Sequence, residues 1–474
     1  MTRTAQQTTP VSNTKSAATI IPPEAHPITV EMIDRDALYV MRTLNKAGFA
    51  AYLVGGGVRD LYLGKKPKDF DISTDARPGQ IRKLFPNSST IGRRFRLVQA
   101  FFPRGKVIEI STLRSLSEHD LDGPEAVLAP NNTFGTLDED AQRRDLTINS
   151  LFYEIENNTI IDHLNGVADL DAAIVRIIGE PEKRITHDPV RMMRAIRHSA
   201  RNNFSIERET WQTICDNHSK LLLCPPSRLR DETLKDISSG FSSSWFELAG
   251  ESGIFLDLFA IYRKDFNHQK NNKKNCQKQL KDIFRVIDRI NTTAVANGAA
   301  RQPDSFMLAL VLLPWAETRF QIISKRFSGP ALFQISKRIR AELDEKIGQQ
   351  LNLRRSIRQN ITNLLASLPH LIQHRKDGRW PAWLRKKSYF TKGVLFYHCY
   401  LEATGGKPVP QELLCEYSKP SPSESLKPPR QRSRSQKSRN RPAFAATAAH
   451  SIFGITKKKS TAARNSSPPQ KTSS

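Results

Sequence analysis

A short apolar stretch at residues 50–54 runs directly into three consecutive glycines, Gly55, Gly56 and Gly57. The apolar stretch is typical of a buried strand, and residues 58–63 have the pattern of a helix start. Glycines at such a junction let backbone N–H groups approach an anion closely, and a helix N-terminus adds partial positive charge. The sequence therefore predicts a strand–turn–helix unit that either grips a phosphate or is merely a tight turn.

Two aspartates, Asp69 and Asp71, follow this unit and are separated by one residue. Residues two apart in a strand point to one face, so we expect both carboxylates to converge on one small volume. Two like charges that close repel each other unless a cation lies between them, and Mg²⁺ commonly bridges carboxylates to substrate phosphates. The alternative, a solvated acidic turn, is disfavoured by the preceding glycines. Glu109, in an apolar strand pattern, either points at the same metals or is an outward-facing strand charge.

A second polar cluster contains Arg143, Arg144, Asp145 and Asn149. Adjacent arginines suit phosphate oxygens, whereas the carboxylate and amide are expected to hold a ribose hydroxyl, an arginine or a metal-side group. A helix cap is the competing interpretation of Asp145.

On the predicted helix 188–201, Asp188, Arg191 and Arg194 recur every three residues and share a face. Such spacing usually means salt bridges on a solvated face. An aspartate beside an arginine can also present an acceptor and a donor to the edge of a base, and the spacing alone leaves both interpretations open.

The periodicity predicts an α+β chain. A mixed sheet with a hairpin at 97–102 and 107–112 occupies a head at residues 29–162, which also contains a long polar loop at 114–134. A mostly α-helical neck follows at 163–240, and an RNA-binding helical body, interrupted by a basic insertion near 264–281, follows at 241–417. A disordered leader is expected at residues 1–28.

The formal net charge of +26 favours a polyanionic partner, and nucleic acid is the obvious one. Much of this charge lies in residues 418–474, which are rich in Ser, Pro and Gln and contain a single acidic residue, Glu424. Such a segment cannot bury enough apolar surface to fold alone, so we expect a disordered basic tail. The tail is either solubilising or an arm that tethers RNA or a protein. Its candidate RNA-binding residues are Arg432, Arg434, Lys437, Arg439 and Arg441.

No apolar run approaches the roughly 20 residues that cross a bilayer, so no membrane association is expected. The five cysteines are scattered and form no CxxC pair, so the sequence suggests neither a zinc knuckle nor a disulfide framework, and a reduced cytoplasmic setting fits best. We expect a monomer.

The motifs and their order resemble the class II nucleotidyltransferases of the DNA polymerase β superfamily, which comprise bacterial poly(A) polymerases and CCA-adding enzymes. The resemblance covers about residues 22–259 and rests on the glycine turn, the paired aspartates, the segment 143–150 and the segment 188–194. Residues 92–98, which include Arg93, Arg94 and Arg96 as further candidate RNA contacts, are similar to the poly(A) polymerase branch.

The resemblance implies a role for each matching residue. Gly55, Gly56, Arg59 and Asp60 would hold the triphosphate, Asp69 and Asp71 two Mg²⁺ ions, and Asp145 would be an active-site carboxylate with Arg144 and Asn149 beside the nucleotide. Asp188 and Arg191, with Arg194 on the same face, would read the base, and Arg228 and Glu232 would buttress them. His187 stands where the family usually has Glu, which leaves ATP selectivity open.

The expected activity is template-independent addition of AMP from ATP to RNA 3′ ends, in RNA processing or decay, with RNA-decay proteins as further partners. The alternatives are a CCA-adding enzyme and a non-catalytic RNA-binding protein on a transferase scaffold.

Overall fold

An eight-stranded mixed sheet forms the N-terminal part of the fold. The computed structural model describes residues 18–92, 96–115, 134–267, 270–298, 300–375 and 379–416. The strands of the sheet are β1 (Thr19–Ile21), β2 (Ala51–Val54), β3 (Asp71–Thr74), β4 (Ser88–Ile91), β5 (Leu97–Phe101), β6 (Val107–Thr112), β7 (Phe152–Glu154) and β8 (Thr159–Asp162). Their order across the sheet is β1-β8-β7-β2-β3-β6-β5-β4. A separate parallel pair consists of β9 (Ile174–Val175) and β10 (Ser205–Ile206).

Helices cover the head and form the rest of the described chain. In the first part they are α1 (Arg35–Lys46), α2 (Gly56–Tyr62), α3 (Pro78–Leu84), α4 (Leu137–Arg143), α5 (Gly166–Asp171), α6 (Pro181–His187), α7 (Val190–Asn202), α8 (Arg208–Asn217), α9 (Pro226–Ile237), α10 (Ser242–Glu251) and α11 (Ile254–Leu258). They continue with α12 (Arg263–Asn267), α13 (Lys270–Ala296), α14 (Asp304–Val311), α15 (Leu313–Phe320), α16 (Gly329–Leu343), α17 (Arg355–Gln373), α18 (Ala382–Arg385), α19 (Phe390–Ala403) and α20 (Gln411–Glu416).

Local chemistry explains where the first helix begins. The Asp34 carboxylate accepts a hydrogen bond of 2.8 Å from the backbone N–H of Asp36, which satisfies one of the unpaired donors at the start of α1. Val40, Met41 and Leu44 recur at helical spacing and are fully buried in the core. This helix therefore covers the sheet beside the strands that contain the candidate site.

The body is built around a cluster of aromatic rings. Phe255 lies with its ring centroid 4.8 Å from that of Phe246, and Phe246 stacks on Phe284 at 5.0 Å. Trp245, 1% exposed, packs edge-on against Phe255 and Phe284. Edge-to-face and offset pairs of this kind add to the free energy gained from apolar burial.

The fold confirms the α+β prediction and the hairpin of β5 and β6. The predicted leader at residues 1–28 is wrong from Thr19 onward, because β1 pairs with β8 at the edge of the sheet. A strand of three residues has no periodicity that sequence inspection can detect. Where the structure describes it, the basic stretch at 264–281 is helical and belongs to α12 and α13.

Several predictions concern residues that the structure does not describe, namely most of the polar loop at 114–134 and the basic tail. The described residues up to 416 belong to a single contact unit, so the head, neck and body boundaries stay predictions. None of the helices in the described ranges combines the length and the apolar character that spanning a bilayer requires.

Gly166 is expected to be indispensable for the turn that precedes β7. A Cβ on Gly166 would lie 2.3 Å from the backbone oxygen of Thr147, so the turn Thr147–Asn149 would have to move. We expect Gly166→Ala to lower the free energy of unfolding by about 1–3 kcal/mol, as overpacking does, measured by denaturant titration. Gly79→Ala is the control, because a Cβ there meets nothing within 4 Å. Equal stabilities of the two variants would contradict this account.

Candidate active site

The two predicted metal-binding aspartates lie at the start of β3. Asp71 is the first residue of the strand, whereas Asp69 precedes it. The antiparallel pairing of β2 with β3 places Val54, the last residue before the glycine turn, opposite Asp71. A Cβ on Gly57 would lie 3.7 Å from the backbone oxygen of Asp69. The glycine turn and both aspartates therefore meet in one place.

Glu109 lies on β6 directly beside Asp71. The parallel register of β3 and β6 pairs the two residues, and paired residues of neighbouring strands have side chains on the same face. Gln99 on β5 donates from Nε2 to Oε1 of Glu109 at 2.9 Å, which fixes the carboxylate. Of the two interpretations of the sequence, this register favours a Glu109 that shares the face of Asp71.

Burial and neighbouring negative charges both act on the Asp71 carboxylate. The Asp71 side chain is open to solvent on one side. Partial burial of the carboxyl group, together with the negative charges of Glu109 and Asp69, nevertheless raises the pKa of Asp71 to about 6, against the opposing effect of Arg144. A divalent cation would relieve this repulsion.

The donor atoms at this face fit a cation that is shared with a phosphate. Among the described residues, no group of three or more His, Cys, Asp or Glu side chains could hold a metal ion by itself. Mg²⁺ is usually bound through one or two carboxylates plus substrate phosphates, and it retains several waters. Asp69, whose side chain is 74% exposed, and Asp71 supply such a pair.

The glycine turn lies against a fixed positive charge. Gly55 has φ 65° and ψ −129°, a conformation that glycine adopts readily and other residues do not. A Cβ there would lie 3.3 Å from Nη1 of Arg144. The Arg144 guanidinium donates to Oδ2 of Asp140 at 2.8 Å and lies 4.9 Å from the centre of the Phe152 ring. This held cation faces the turn and lowers the pKa of Asp71.

Arg59 and Asp60 are buried beside the glycine turn and do not face solvent. The Arg59 side chain is 2% exposed, and its guanidinium donates to Oδ1 of Asp60 at 2.7 Å and to Oδ1 of Asn149 at 2.5 Å. Asp60 also pairs with Arg201 of α7 at 2.8 Å. Both side chains bind protein partners, so they support the glycine turn. They do not offer the direct triphosphate contact that the sequence suggested.

Asp145 contacts the arginines of α7. It does not lie with Asp69, Asp71 and Glu109, whose side chains form the carboxylate face. Its Oδ2 pairs with Nη1 of Arg194 at 2.9 Å, and its Oδ1 accepts from the backbone N–H of Leu146 at 2.8 Å. Burial alone would raise the pKa of Asp145, but Arg194, His198 and Arg191 hold it well below its usual range. It is not among the charges that perturb Asp71. Of the interpretations that the sequence left open for Asp145, contact with an arginine fits this pairing, and its role as an active-site carboxylate stays a prediction.

The predicted base-reading pair has unsatisfied polar atoms. Arg228 of α9 donates from Nη2 to Oδ2 of Asp188 at 2.8 Å, as expected of a buttress. Oδ1 of Asp188 and Nε of Arg191 are buried and have no hydrogen-bond partner within the described ranges. Arg191 also donates from Nη1 to the backbone oxygen of Arg144 at 2.8 Å. Glu232 pairs instead with Arg197, so it supports α7 and not the pair itself.

Sequence inspection missed the residues that link these groups. His198 lies between Arg59, with Nδ1 3.1 Å from Nη1, and Asn149, with Nε2 3.4 Å from Nδ2. Burial, followed by the charge of Arg59, lowers the pKa of His198. Extending the period of Asp188, Arg191 and Arg194 along α7 would have reached Arg197, His198 and Arg201.

The predicted RNA contacts are mostly beyond the described part of the chain. Arg93 and Arg94 lie outside it, as do the five tail residues Arg432, Arg434, Lys437, Arg439 and Arg441. Arg96 is described and exposed, immediately before β5. These roles remain predictions.

Comparison with known proteins bears directly on this geometry. Residues 51–176 match the family described as the poly A polymerase head domain, and residues 203–263 match a family described as a probable RNA- and SrmB-binding site of polymerase A. The matched segments are similar to bacterial poly(A) polymerases and CCA-adding enzymes. The carboxylate face and the glycine turn both fall within the matched head domain.

Individual relatives show the same similarity. Poly(A) polymerase I of Escherichia coli O6:H1 is 40% identical over 311 residues, which cover 64% of this chain and 65% of the relative. The CCA-adding enzyme of Lactobacillus johnsonii is 38% identical over 219 residues, covering 46% and 54%. A CCA-adding enzyme solved with ATP shares the fold, with a TM-score of 0.52 at 20% identity over 82% of each chain. The chain thus spans slightly less than two thirds of the length of the first relative.

Repulsion at the carboxylate face predicts that Asp71→Asn stabilises the metal-free protein. The unfolded carboxyl group ionises near pH 4, whereas the folded one has a pKa of about 6, so ionisation disfavours the folded state as the pH rises through this window. We expect the variant to melt about 1–3 °C higher than the wild type at about pH 8 in chelator. The gain should vanish at about pH 3 or below, where both states are protonated.

The control for this measurement is Glu24→Gln, an exposed carboxylate in the segment between β1 and α1. Its melting temperature should match that of the wild type at both pH values. A lower melting temperature of Asp71→Asn at alkaline pH would contradict the interpretation of this face as a site of repulsion.

Proposed function

We propose that this protein adds AMP from ATP to RNA 3′ ends without a template. The observation that supports this most is the pair Asp69 and Asp71, placed against the glycine turn with Glu109 in register beside them. The match to poly(A) polymerase I over 311 residues, against 219 for a CCA-adding enzyme, favours adenylation. The proposal includes Mg²⁺ as the ion and the cytoplasm as the location.

In the proposed reaction the RNA 3′-hydroxyl attacks the α-phosphate of ATP in line with the leaving pyrophosphate. Divalent ions bound by Asp69 and Asp71 would activate that hydroxyl and neutralise the pyrophosphate. The open side of the glycine turn receives the triphosphate, and Arg144 behind it contributes positive charge. Arg59 and His198 hold the turn in place, so that the phosphates are positioned and no covalent enzyme intermediate is needed.

The proposed adenine contacts are Asp188 and Arg191. Oδ1 of Asp188 is an unused acceptor and Nε of Arg191 an unused donor, which together match the donor and acceptor on one edge of adenine. Arg228 fixes the other oxygen of Asp188 and thereby the direction of the acceptor. His187 is buried next to this aspartate, in the position where the family usually has Glu.

The acceptor in this proposal is a generic RNA 3′ end. Support comes from the matched RNA-binding segment at 203–263 and from the net charge of +26. Because cationic side chains bind phosphates without reading bases, little sequence preference is expected.

Extension assays with single nucleotides test this function. Purified protein, Mg²⁺ and a generic RNA should give long products with ATP and few or none with CTP, GTP or UTP. Asp69→Ala and Asp71→Ala should each lower kcat about a thousandfold, since each removes metal-mediated stabilisation worth several kcal/mol. Asp231→Asn, an exposed carboxylate of α9 that pairs with Arg230, should retain full activity.

Other outcomes of this assay would replace the proposal. Addition of only C, C and A to a tRNA lacking its end would establish the CCA-adding alternative. Tight RNA binding without extension, equal in wild type and Asp69→Ala, would establish a non-catalytic RNA-binding protein.

Arg228→Met tests the adenine contacts separately. Without its partner the Asp188 carboxylate loses its fixed direction, so the kcat/KM ratio of ATP to CTP is expected to fall about tenfold. Lys235→Met, on the same helix with a side chain 59% exposed, is the matched control and should keep the wild-type ratio. An unchanged ratio in Arg228→Met would exclude this arrangement of the base-reading pair.

A further inference from the structure

A groove lies between α16 and α17 in the helical body, outside both matched family segments. Its lining includes Phe333 and Ser336 of α16, Asn363 and His370 of α17, and Tyr389. Its volume is about 260 Å³, several times the roughly 30 Å³ share of one water molecule. Polar and aromatic side chains therefore share the wall of a cavity that can admit a small planar group.

Two aromatic rings lie exposed at this groove and beside it. Phe333 is 58% and Trp383 45% exposed, whereas most aromatic side chains of the body are buried. The Trp383 ring is held edge-on by His370 at 6.0 Å and by His374 at 5.1 Å, measured between ring centroids. A ring that is exposed yet held in orientation provides a preformed face for stacking.

The chain segments that form the groove are rich in basic residues. Residues 321–341, 353–375 and 379–401 contain many lysines and arginines and no aspartate or glutamate. Nζ of Lys337 lies 4.6 Å from the centre of the Phe333 ring. Lys387 lies between Trp383 and Tyr389 along the chain. After burial and the charge of His374, the charge of Lys387 also lowers the pKa of His370. Ammonium groups therefore flank the aromatic faces.

We propose that this groove is a second binding site for single-stranded RNA, in which nucleobases stack on Phe333 and Trp383 while the lysines bind the phosphates. Exposed aromatic faces within a positively charged surface are the combination that binds single strands without sequence preference. An acidic protein would use the charges but not the rings, and duplex RNA offers no unstacked bases. The site deepens the proposed function, because it would hold RNA at a distance in sequence from the catalytic head.

Equilibrium binding of full-length protein to oligoadenylate, without nucleotide or metal, tests this site. We expect Phe333→Leu and Trp383→Leu each to weaken binding about tenfold, whereas Trp383→Phe, which keeps an aromatic face, should lose much less. Lys387→Glu should weaken binding more than Lys46→Glu, an equal charge change on the exposed surface of α1. Binding of an abasic oligomer of equal length should be unaffected by the leucine variants.

Thermal unfolding is the control for correct folding of the variants. Both leucine variants should have the wild-type melting temperature, because the replaced rings are exposed. Wild-type affinity in both leucine variants would overturn the proposal. Equal losses in Trp383→Leu and Trp383→Phe, or equal losses for abasic and normal oligomers, would also overturn it, since neither fits base stacking. Because RNA binding is measured without catalysis, its result does not depend on the outcome of the extension assay.

Discussion

The repulsion between carboxylates at the end of β3 is the constraint on which the site depends. Backbone pairing of β3 with β6 fixes Asp71 beside Glu109, and the chain cannot separate them without breaking the sheet. Burial of the Asp71 carboxyl group, together with the charges of Glu109 and Asp69, raises its pKa to about 6. Holding like charges together adds nothing to the stability of the sheet, and a bound cation shared with phosphate would make the arrangement favourable.

Helix α7 connects the glycine turn to the proposed adenine contacts. Arg201 pairs with Asp60 beside the glycine turn, and Arg194 pairs with Asp145. His198 lies between them and contacts Arg59. Since these side chains project from one helix, a shift of α7 would move the support of the glycine turn and the proposed adenine contacts together.

Much of the head could be predicted because its signals are local. The glycine turn, the paired aspartates and the hairpin depend on residues that are neighbours in sequence. The burial of Arg59 could not be predicted, since its partners Asn149 and His198 are distant in the chain and become neighbours only when α7 packs against the turn. The edge strand β1 was missed for a related reason: three residues acquire strand structure only from pairing with β8.

The most direct test of the central claim is to locate the metal. Crystals of the full chain with Mn²⁺ and a non-hydrolysable ATP analogue should show anomalous density between the carboxylates of Asp69 and Asp71, in contact with phosphate oxygens. The triphosphate should follow the open side of the glycine turn. Metal bound elsewhere, or a triphosphate away from both aspartates, would contradict the account.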